Sequence, residues 1–421
     1  MSAPEMISMG CRLNIAESET LRQNLAANNI DGDNLIIVNS CAVTNEAVRQ
    51  TRQAIRRAKK DNPEKNIIVT GCAAQVDPAM FADMPETSAV VGNFDKYEAA
   101  NFKLGLQSNR PEIRVSDIMR ITETTPHMVS AFADRSRAFV EIQNGCDHRC
   151  TFCIIPFGRG NSRSVPAGLV VDQVQALVDK GFQEVVLTGV DVTSYGPDLP
   201  GEPTLGMLIE RILKHVPDLP RLRLSSLDGI EIDDRLFDLL TGEARLMPHI
   251  HLSLQSGDNM ILKRMKRRHN REQAIDLVER LKAKRPEIAI GADIIAGFPT
   301  EDDAMFANSR SIIDQCDIVH GHIFPYSPKQ GTPAAKMPQV DGQTIKKRAK
   351  LLRETVARRA RSWRQSLVGS RQNVLAEMSG DAGYSENFAR VLLDVPARKG
   401  QMVPVEITGV QDKQLIGRVA A

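Results

Sequence analysis

Gly145-Cys146-Asp147-His148-Arg149-Cys150-Thr151-Phe152-Cys153 carries three cysteines as Cys-x3-Cys-x2-Cys, directly after the apolar strand candidate Phe139 to Ile142. Five more short apolar runs follow at Glu184 to Thr188, Leu222 to Ser225, Ile250 to Leu254, Ile288 to Ile294 and Ile318 to Ile323, each separated from the next by a helical pattern. Six βα units predict a partial barrel, and in such barrels the chemistry gathers at the C-terminal ends of the strands. The cysteine loop stands at one of those ends.

Three thiolates on one loop can bind three irons of a cubane cluster and leave the fourth iron open. That iron can chelate the amino and carboxylate groups of S-adenosylmethionine and send it an electron, which cleaves the sulfonium to a 5′-deoxyadenosyl radical. A zinc knuckle is the competing reading, but structural zinc takes four protein ligands, usually in pairs, and His148 supplies a fourth only awkwardly. The run resembles the signature of the radical S-adenosylmethionine superfamily.

Upstream, strand candidates at Met6 to Gly10, Leu35 to Asn39, Ile67 to Thr70 and Ala89 to Val91 alternate with helical patterns, which predicts α/β architecture with a parallel sheet. Cys11, Cys41 and Cys72 each stand just past one of the first three strands. Parallel strands present those ends side by side, where ligand crevices form. The three thiolates are therefore candidates for a second cluster; three unrelated buried cysteines would need the same coincidence three times. Cys316 fits no such pattern and reads as a core residue.

The totals agree with a cofactor-bearing, multidomain chain. At 421 residues it exceeds one ordinary core. Seven cysteines, an odd number, in a chain with no secretory signal point to metal ligation rather than disulfides, and to the cytoplasm. No stretch approaches the roughly 20 apolar residues of a membrane span. The net charge is only +2, yet basic residues cluster at Arg49, Arg52, Arg56, Arg57, Lys59 and Lys60, and again from Lys346 to Arg364. Both runs could meet phosphates or simply be solvated helix faces. The polar stretch Ser108 to Arg137 reads as a linker with one strand in it. Short runs at Asn373 to Glu377, Phe388 to Leu392, Val403 to Thr408 and Leu415 to Val419 predict a small β-barrel of the oligonucleotide-binding type. That barrel is expected to add RNA affinity and to be dispensable for cofactor cleavage.

With both cysteine sets in place, the chain resembles the methylthiotransferase family over nearly its whole length. Matching segments are Met9-Gly10-Cys11-Arg12-Leu13-Asn14, Asn39-Ser40-Cys41-Ala42-Val43-Thr44-Asn45, Thr70-Gly71-Cys72-Ala73, Ser253-Leu254-Gln255-Ser256-Gly257-Asp258 and Gly297-Phe298-Pro299-Thr300-Glu301. Cys41 to Glu46 and Arg159-Gly160-Asn161-Ser162-Arg163-Ser164 look most like the branch acting on N6-threonylcarbamoyladenosine beside the tRNA anticodon, at position 37. The isopentenyladenosine branch and the branch acting on a ribosomal-protein aspartate are the alternatives. A non-catalytic, metal-containing RNA-binding protein is the rival from another class.

The resemblance implies two 4Fe-4S clusters, S-adenosylmethionine used both as methyl donor and as radical source, a tRNA substrate attacked at carbon 2 of the adenine, an electron donor such as flavodoxin or ferredoxin, and a sulfur source. It divides the chain into an N-terminal α/β domain (1–107), a linker (108–137), a radical S-adenosylmethionine core (138–365) and a TRAM-like RNA-binding domain (366–421). Cys146, Cys150 and Cys153 then serve the catalytic cluster. Thr188, Gly189 and Asp191, at the end of the second barrel strand, stand where related enzymes contact the methionyl amino group, although Leu187-Thr188-Gly189-Val190-Asp191 is a variant of the usual segment. Ser225 and Gln255, ending strands three and four, are placed to meet ribose or carboxylate.

Overall fold

The computed structural model describes residues 4–30, 32–103, 111–122 and 135–420. The expected boundary at residue 107 and much of the 108–137 segment lie outside them. Five parallel strands form the N-terminal sheet in sequential order: β1 (Glu5–Ser8), β2 (Leu35–Ser40), β3 (Asn66–Gly71), β4 (Ala89–Val91) and β5 (Glu112–Arg114). The last is the strand expected within 108–137, and it pairs onto this sheet. Alternation along the strands divides their side chains between two cores. Ile36, Val38, Ile67 and Val69 pack with Ile55 and Phe81 on one face, and Ile37 and Ile68 pack with Leu21, Leu25 and Phe102 on the other. A sheet covered on both faces reads as continuous apolar runs, which is what Leu-Ile-Ile-Val shows.

The central region holds six parallel strand positions. They are β6 (Ala138–Asn144), β8 (Glu184–Gly189), a third position broken at Ser225 into β9 (Arg221–Leu224) and β10 (Ser226–Leu227), then β11 (His249–Gln255), β12 (Ala289–Ala296) and β13 (Ile318–Pro325). A two-residue strand, β7 (Arg163–Ser164), adds antiparallel to β6. Outward-facing residues such as Val140, Val185, Leu222, Ile250 and Ile290 build the largest core with the surrounding helices. Cys316 is buried in that core. The inner face is polar, carrying Glu184, Arg223, His249, His251 and Asp293. Helix Arg12–Ala27 of the N-terminal region packs against β6 and β8.

The long helix Gly342–Ser366 lies along β13 and leads into a closed barrel of five strands: β14 (Arg371–Ala376), β15 (Ala382–Tyr384), β16 (Arg390–Leu393), β17 (Met402–Gln411) and β18 (Gln414–Val419). The short β15 completes the closure that the sequence pattern of four strands leaves open. This barrel is bonded to the base of the half-barrel. Arg221 Nη2 donates to Asn373 O at 2.7 Å and Arg223 Nη1 to Glu386 O at 3.1 Å, while both guanidiniums share the buried Glu184. Phe388 sits 4.8 Å from the His249 ring and beneath Arg12, Arg137 and Arg223. Removing the chain beyond Trp363 would strip partners from two buried arginines, so the expectation that this region separates cleanly from the catalytic core does not fit the structure.

Candidate active site: two cysteine trios on one interface

Strand ends deliver the first trio. β1, β2 and β3 run in register, so Gly10-Cys11, Cys41 and Gly71-Cys72 emerge together. Gly71 has φ +92°, and a Cβ there would stand 2.5 Å from Ser40 N, so only glycine allows the chain to turn at once into Cys72. Asn14 ties two of the three ends, donating from Nδ2 to Met9 O at 2.7 Å and Ser40 O at 3.1 Å. Cys41 and Cys72 are buried and Cys11 is exposed. Burial, with the Cys72 and Cys11 thiols close by, pushes the Cys41 thiol up to about 11.

The second trio lies on the loop after β6. Gly145, at φ +73°, precedes Cys146, and its missing side chain leaves room for Asn161 O. Burial and the Asp191 carboxylate push the Cys146 thiol up, and burial takes Cys153 to about 12. Arg267 Nη1 stands 3.6 Å from Cys150 Sγ. Thiols this hard to ionise become ligands when a metal displaces their protons. Among the described residues neither trio has its three sulfurs within 4.8 Å of one another. Thiolates sharing a single zinc at about 2.3 Å stand only about 3.8 Å apart, whereas a cubane takes each thiolate on a different iron. The donor sets fit iron-sulfur clusters.

The two trios meet at one interface. Helix Ile155–Arg159, directly after Cys153, packs on helix Cys72–Val76; a Cβ on Gly158 would be 3.2 Å from that of Cys72. Asn93 Nδ2 donates to Gly158 O at 2.6 Å and lies 3.5 Å from Cys72 Sγ. Arg159, fully enclosed, donates to both carboxylate oxygens of Glu17 and to Asn14 Oδ1, and Lys96 Nζ lies 2.9 Å from Glu17. Burial alone would raise Glu17, but Arg159 and Lys96 outweigh it and hold it at about 2.

Of the remaining predicted residues, Asp191 reaches the Cys146 loop and the others stand at the ends of neighbouring strands. Thr188 is buried, and a Cβ on Gly189 would meet Gln143 O at 2.6 Å. Asp191 Oδ2 lies 3.9 Å from Cys146 Sγ and accepts from Ser194 Oγ. Ser225 Oγ is buried with no hydrogen-bond partner, an orphan suited to a ligand's polar group. Gln255 holds φ +66°, a left-handed conformation that persists where surrounding structure enforces it.

Sequence reasoning missed the pairing of His148 with Asp191 and the charged residues Asp228, Glu231, Arg267 and Arg268. His148 Nε2 lies 2.9 Å from Asp191 Oδ2, and its hydrogen bond to that carboxylate raises its pKa. Arg267 pairs with Asp228 at 2.9 Å and Arg268 with Glu231 at 2.5 Å. The position of Asp228 and Glu231 after the third strand was the available signal. Deeper in the half-barrel, Asp293 accepts from His251 at 3.0 Å and lies 3.3 Å from His322 Nδ1. The inward register of His251, Asp293 and His322 on three adjacent strands follows from alternation once pairing is known.

Known proteins match this arrangement. The Radical SAM superfamily model matches residues 140–311, and the model described as Uncharacterized protein family UPF0004 matches residues 5–92. A threonylcarbamoyladenosine tRNA methylthiotransferase MtaB of Rickettsia prowazekii (strain Madrid E) is 51% identical over 408 residues, covering 97% of this chain and 95% of its own. The tRNA-2-methylthio-N(6)-dimethylallyladenosine synthase of Roseobacter denitrificans is 30% identical over 441 residues, covering 99% of each. The structure of TsrM, a radical S-adenosylmethionine methyltransferase from Kitasatospora setae with cobalamin and a [4Fe-4S] cluster bound, superposes with a TM-score of 0.52 at 16% identity over 77% of this chain and 69% of that one, which shows the shared fold. The chain belongs to the threonylcarbamoyladenosine tRNA methylthiotransferase family of radical S-adenosylmethionine enzymes.

Proposed function

We infer that this chain is a transferase that converts N6-threonylcarbamoyladenosine at position 37 of tRNA to its 2-methylthio derivative. The observation that carries the reading is the meeting of two cysteine trios at one interface, in a chain 51% identical to a threonylcarbamoyladenosine tRNA methylthiotransferase. Cys146, Cys150 and Cys153 hold one 4Fe-4S cluster and Cys11, Cys41 and Cys72 hold the other. When bound, the first cluster with S-adenosylmethionine supplies the radical that attacks an unreactive C–H bond, and the second supplies the sulfur.

The chain's own residues bind and orient. Thr188, Gly189 and Asp191 face the methionyl ammonium, and Asp191 offers it a carboxylate beside Cys146. Ser225, with its unpaired hydroxyl, and Gln255 serve ribose or carboxylate. The Arg159, Glu17 and Lys96 knot fixes the spacing of the trios. The closed C-terminal barrel is TRAM-like and binds RNA together with the exposed basic helix face. No helix among the described residues is long and apolar enough to cross a membrane; the reading places the enzyme in the cytoplasm, with an electron donor such as flavodoxin or ferredoxin and a separate sulfur source. Mass spectrometry of tRNA nucleosides from cells lacking the protein tests it. Loss of 2-methylthio-N6-threonylcarbamoyladenosine is expected; its persistence, with loss of the isopentenyl counterpart instead, would redirect the substrate.

A further inference from the structure

The loop after β13 reaches from the barrel to the N-terminal sheet. Ser327 Oγ accepts from Asn45 N at 3.1 Å, and Pro328 O accepts from Asn45 Nδ2 at 3.1 Å. Asn45 opens the helix that follows Cys41-Ala42-Val43-Thr44. The next residue of the loop, Lys329, is only 7% exposed. Its ammonium has no hydrogen-bond or ion-pair partner among the described residues, and the one ionisable group acting on it is the Cys41 thiol.

A cation on so enclosed a side chain is costly to leave without an anion beside it. Elsewhere in the interior the chain supplies carboxylates: Arg159 and Lys96 share Glu17, Arg223 meets Glu184, and Arg348 meets Glu301. Lys329 is supplied with none. The anion it awaits is therefore not a side chain of the protein in its ordinary ionised state. Three thiolates outweigh the charge of an oxidised four-iron core, so a cluster on Cys11, Cys41 and Cys72 is anionic, and more so when reduced.

We propose that Lys329 is the counter-ion of the cluster held by Cys11, Cys41 and Cys72, a positioning residue lent by the radical-forming barrel to the sulfur-donating site. The inference rests on the reading that these three cysteines hold a cluster. Its consequence is that a cation beside Cys41 favours the reduced cluster and raises its potential, since net charge and hydrogen bonds at the sulfurs set that potential. It also means that the N-terminal cluster reaches its working potential only when the barrel is docked.

The test uses the full chain with Cys146→Ala, Cys150→Ala and Cys153→Ala, which leaves only the N-terminal cluster. Iron per chain and a reductive titration followed by electron paramagnetic resonance are compared for this parent and for Lys329→Met, Lys329→Arg and the exposed control Lys350→Met. At equal iron content, Lys329→Met should move the midpoint to more negative potential, lowering the reduced-to-oxidised ratio at fixed potential at least tenfold. Lys329→Arg should keep most of the parent value and Lys350→Met all of it. An unchanged midpoint in Lys329→Met overturns the inference alone, and weakened tRNA binding in that variant would then assign the ammonium to RNA. If Lys329→Met cannot hold the cluster, retention by Lys329→Arg supports the charge, and loss in both overturns it. A parent without iron overturns the inference together with the reading beneath it.

Discussion

The two cysteine trios are brought together by opposite routes. Cys146, Cys150 and Cys153 are local: one loop, opened by Gly145, sets their spacing whatever the rest of the chain does. Cys11, Cys41 and Cys72 are assembled by topology, since only the parallel register of β1, β2 and β3 brings their strand ends together. A local trio can form a site as soon as its loop is ordered; a topological trio exists only when the sheet does. The difference teaches where each site is vulnerable, and the first is expected to fail by loss of ligands and the second also by loss of architecture.

The sharpest break falls on the local trio. Replacing Cys146, Cys150 or Cys153 by Ala should abolish 5′-deoxyadenosine formation from S-adenosylmethionine under strong reductant, because one missing thiolate releases an iron or the whole cluster. Normal production in any of the three would sink the assignment. The topological trio should fail differently. A chain with Cys11→Ala, Cys41→Ala and Cys72→Ala should hold about half the iron of the parent, given two four-iron clusters. It should keep cleaving the cofactor while losing methylthiolation. Full iron together with retained methylthiolation would make these cysteines merely structural.

The same contrast explains what could be read in advance. The Cys146 loop and the six strand positions were legible because local spacing and apolar runs encode them. The N-terminal trio was legible because Gly-Cys and Ser-Cys steps sit just past apolar strands, where parallel pairing must align them. The polar inner face of the half-barrel was not: His251, Asp293 and His322 come together only through the register of β11, β12 and β13. Nor was the docking of the C-terminal barrel, which depends on Arg221 and Arg223 reaching backbone carbonyls more than 150 residues away. The two-residue β7 and three-residue β15 are too short to leave a periodic signal.

Arg159 links the trios, and a third prediction probes the link. Arg159→Met leaves Glu17 buried with Lys96 alone and should cost about 3–5 kcal/mol, the usual penalty for breaking a buried pair from one side. Thermal or denaturant unfolding would read it. Adding Glu17→Gln should recover part of the loss; a double variant as unstable as the sum of the singles would mean the pair is not coupled. The acid limb follows from Glu17, whose folded pKa of about 2 lies below its ordinary value of 4.5. Its contribution is fully present above about pH 4.5 and disappears as pH falls toward about 2. In Arg159→Met that contribution should be smaller, so stability should fall less steeply across this window. If cofactor cleavage survives in the folded variant while methylthiolation drops, the helix sets the distance between the sites.

The smallest expected effect concerns the tRNA, the one partner that both sites must share. Many basic residues in the two runs are already engaged: Arg49 with Glu46, Arg358 with Asp314, Arg359 with Asp317, and the buried Arg348 with Glu301 and Asp303. Arg348 is thus a structural residue, and its replacement should lower stability before it touches RNA affinity. Lys346, Lys347 and Arg361 are exposed and have no partner among the described residues, which leaves their charge for phosphates. Lys346→Glu with Lys347→Glu should weaken tRNA binding several-fold at low salt and flatten the dependence of log affinity on log salt by about one unit for each phosphate no longer neutralised. Iron content and cofactor cleavage without tRNA should not change, because neither trio touches this face. Methylthiolation should slow at low tRNA concentration and recover near saturation, separating binding from both clusters. An unaltered salt slope would place the RNA on the other run, where exposed Lys60 is likewise without a partner among the described residues, and the same measurement on Lys60→Glu would then show the larger effect.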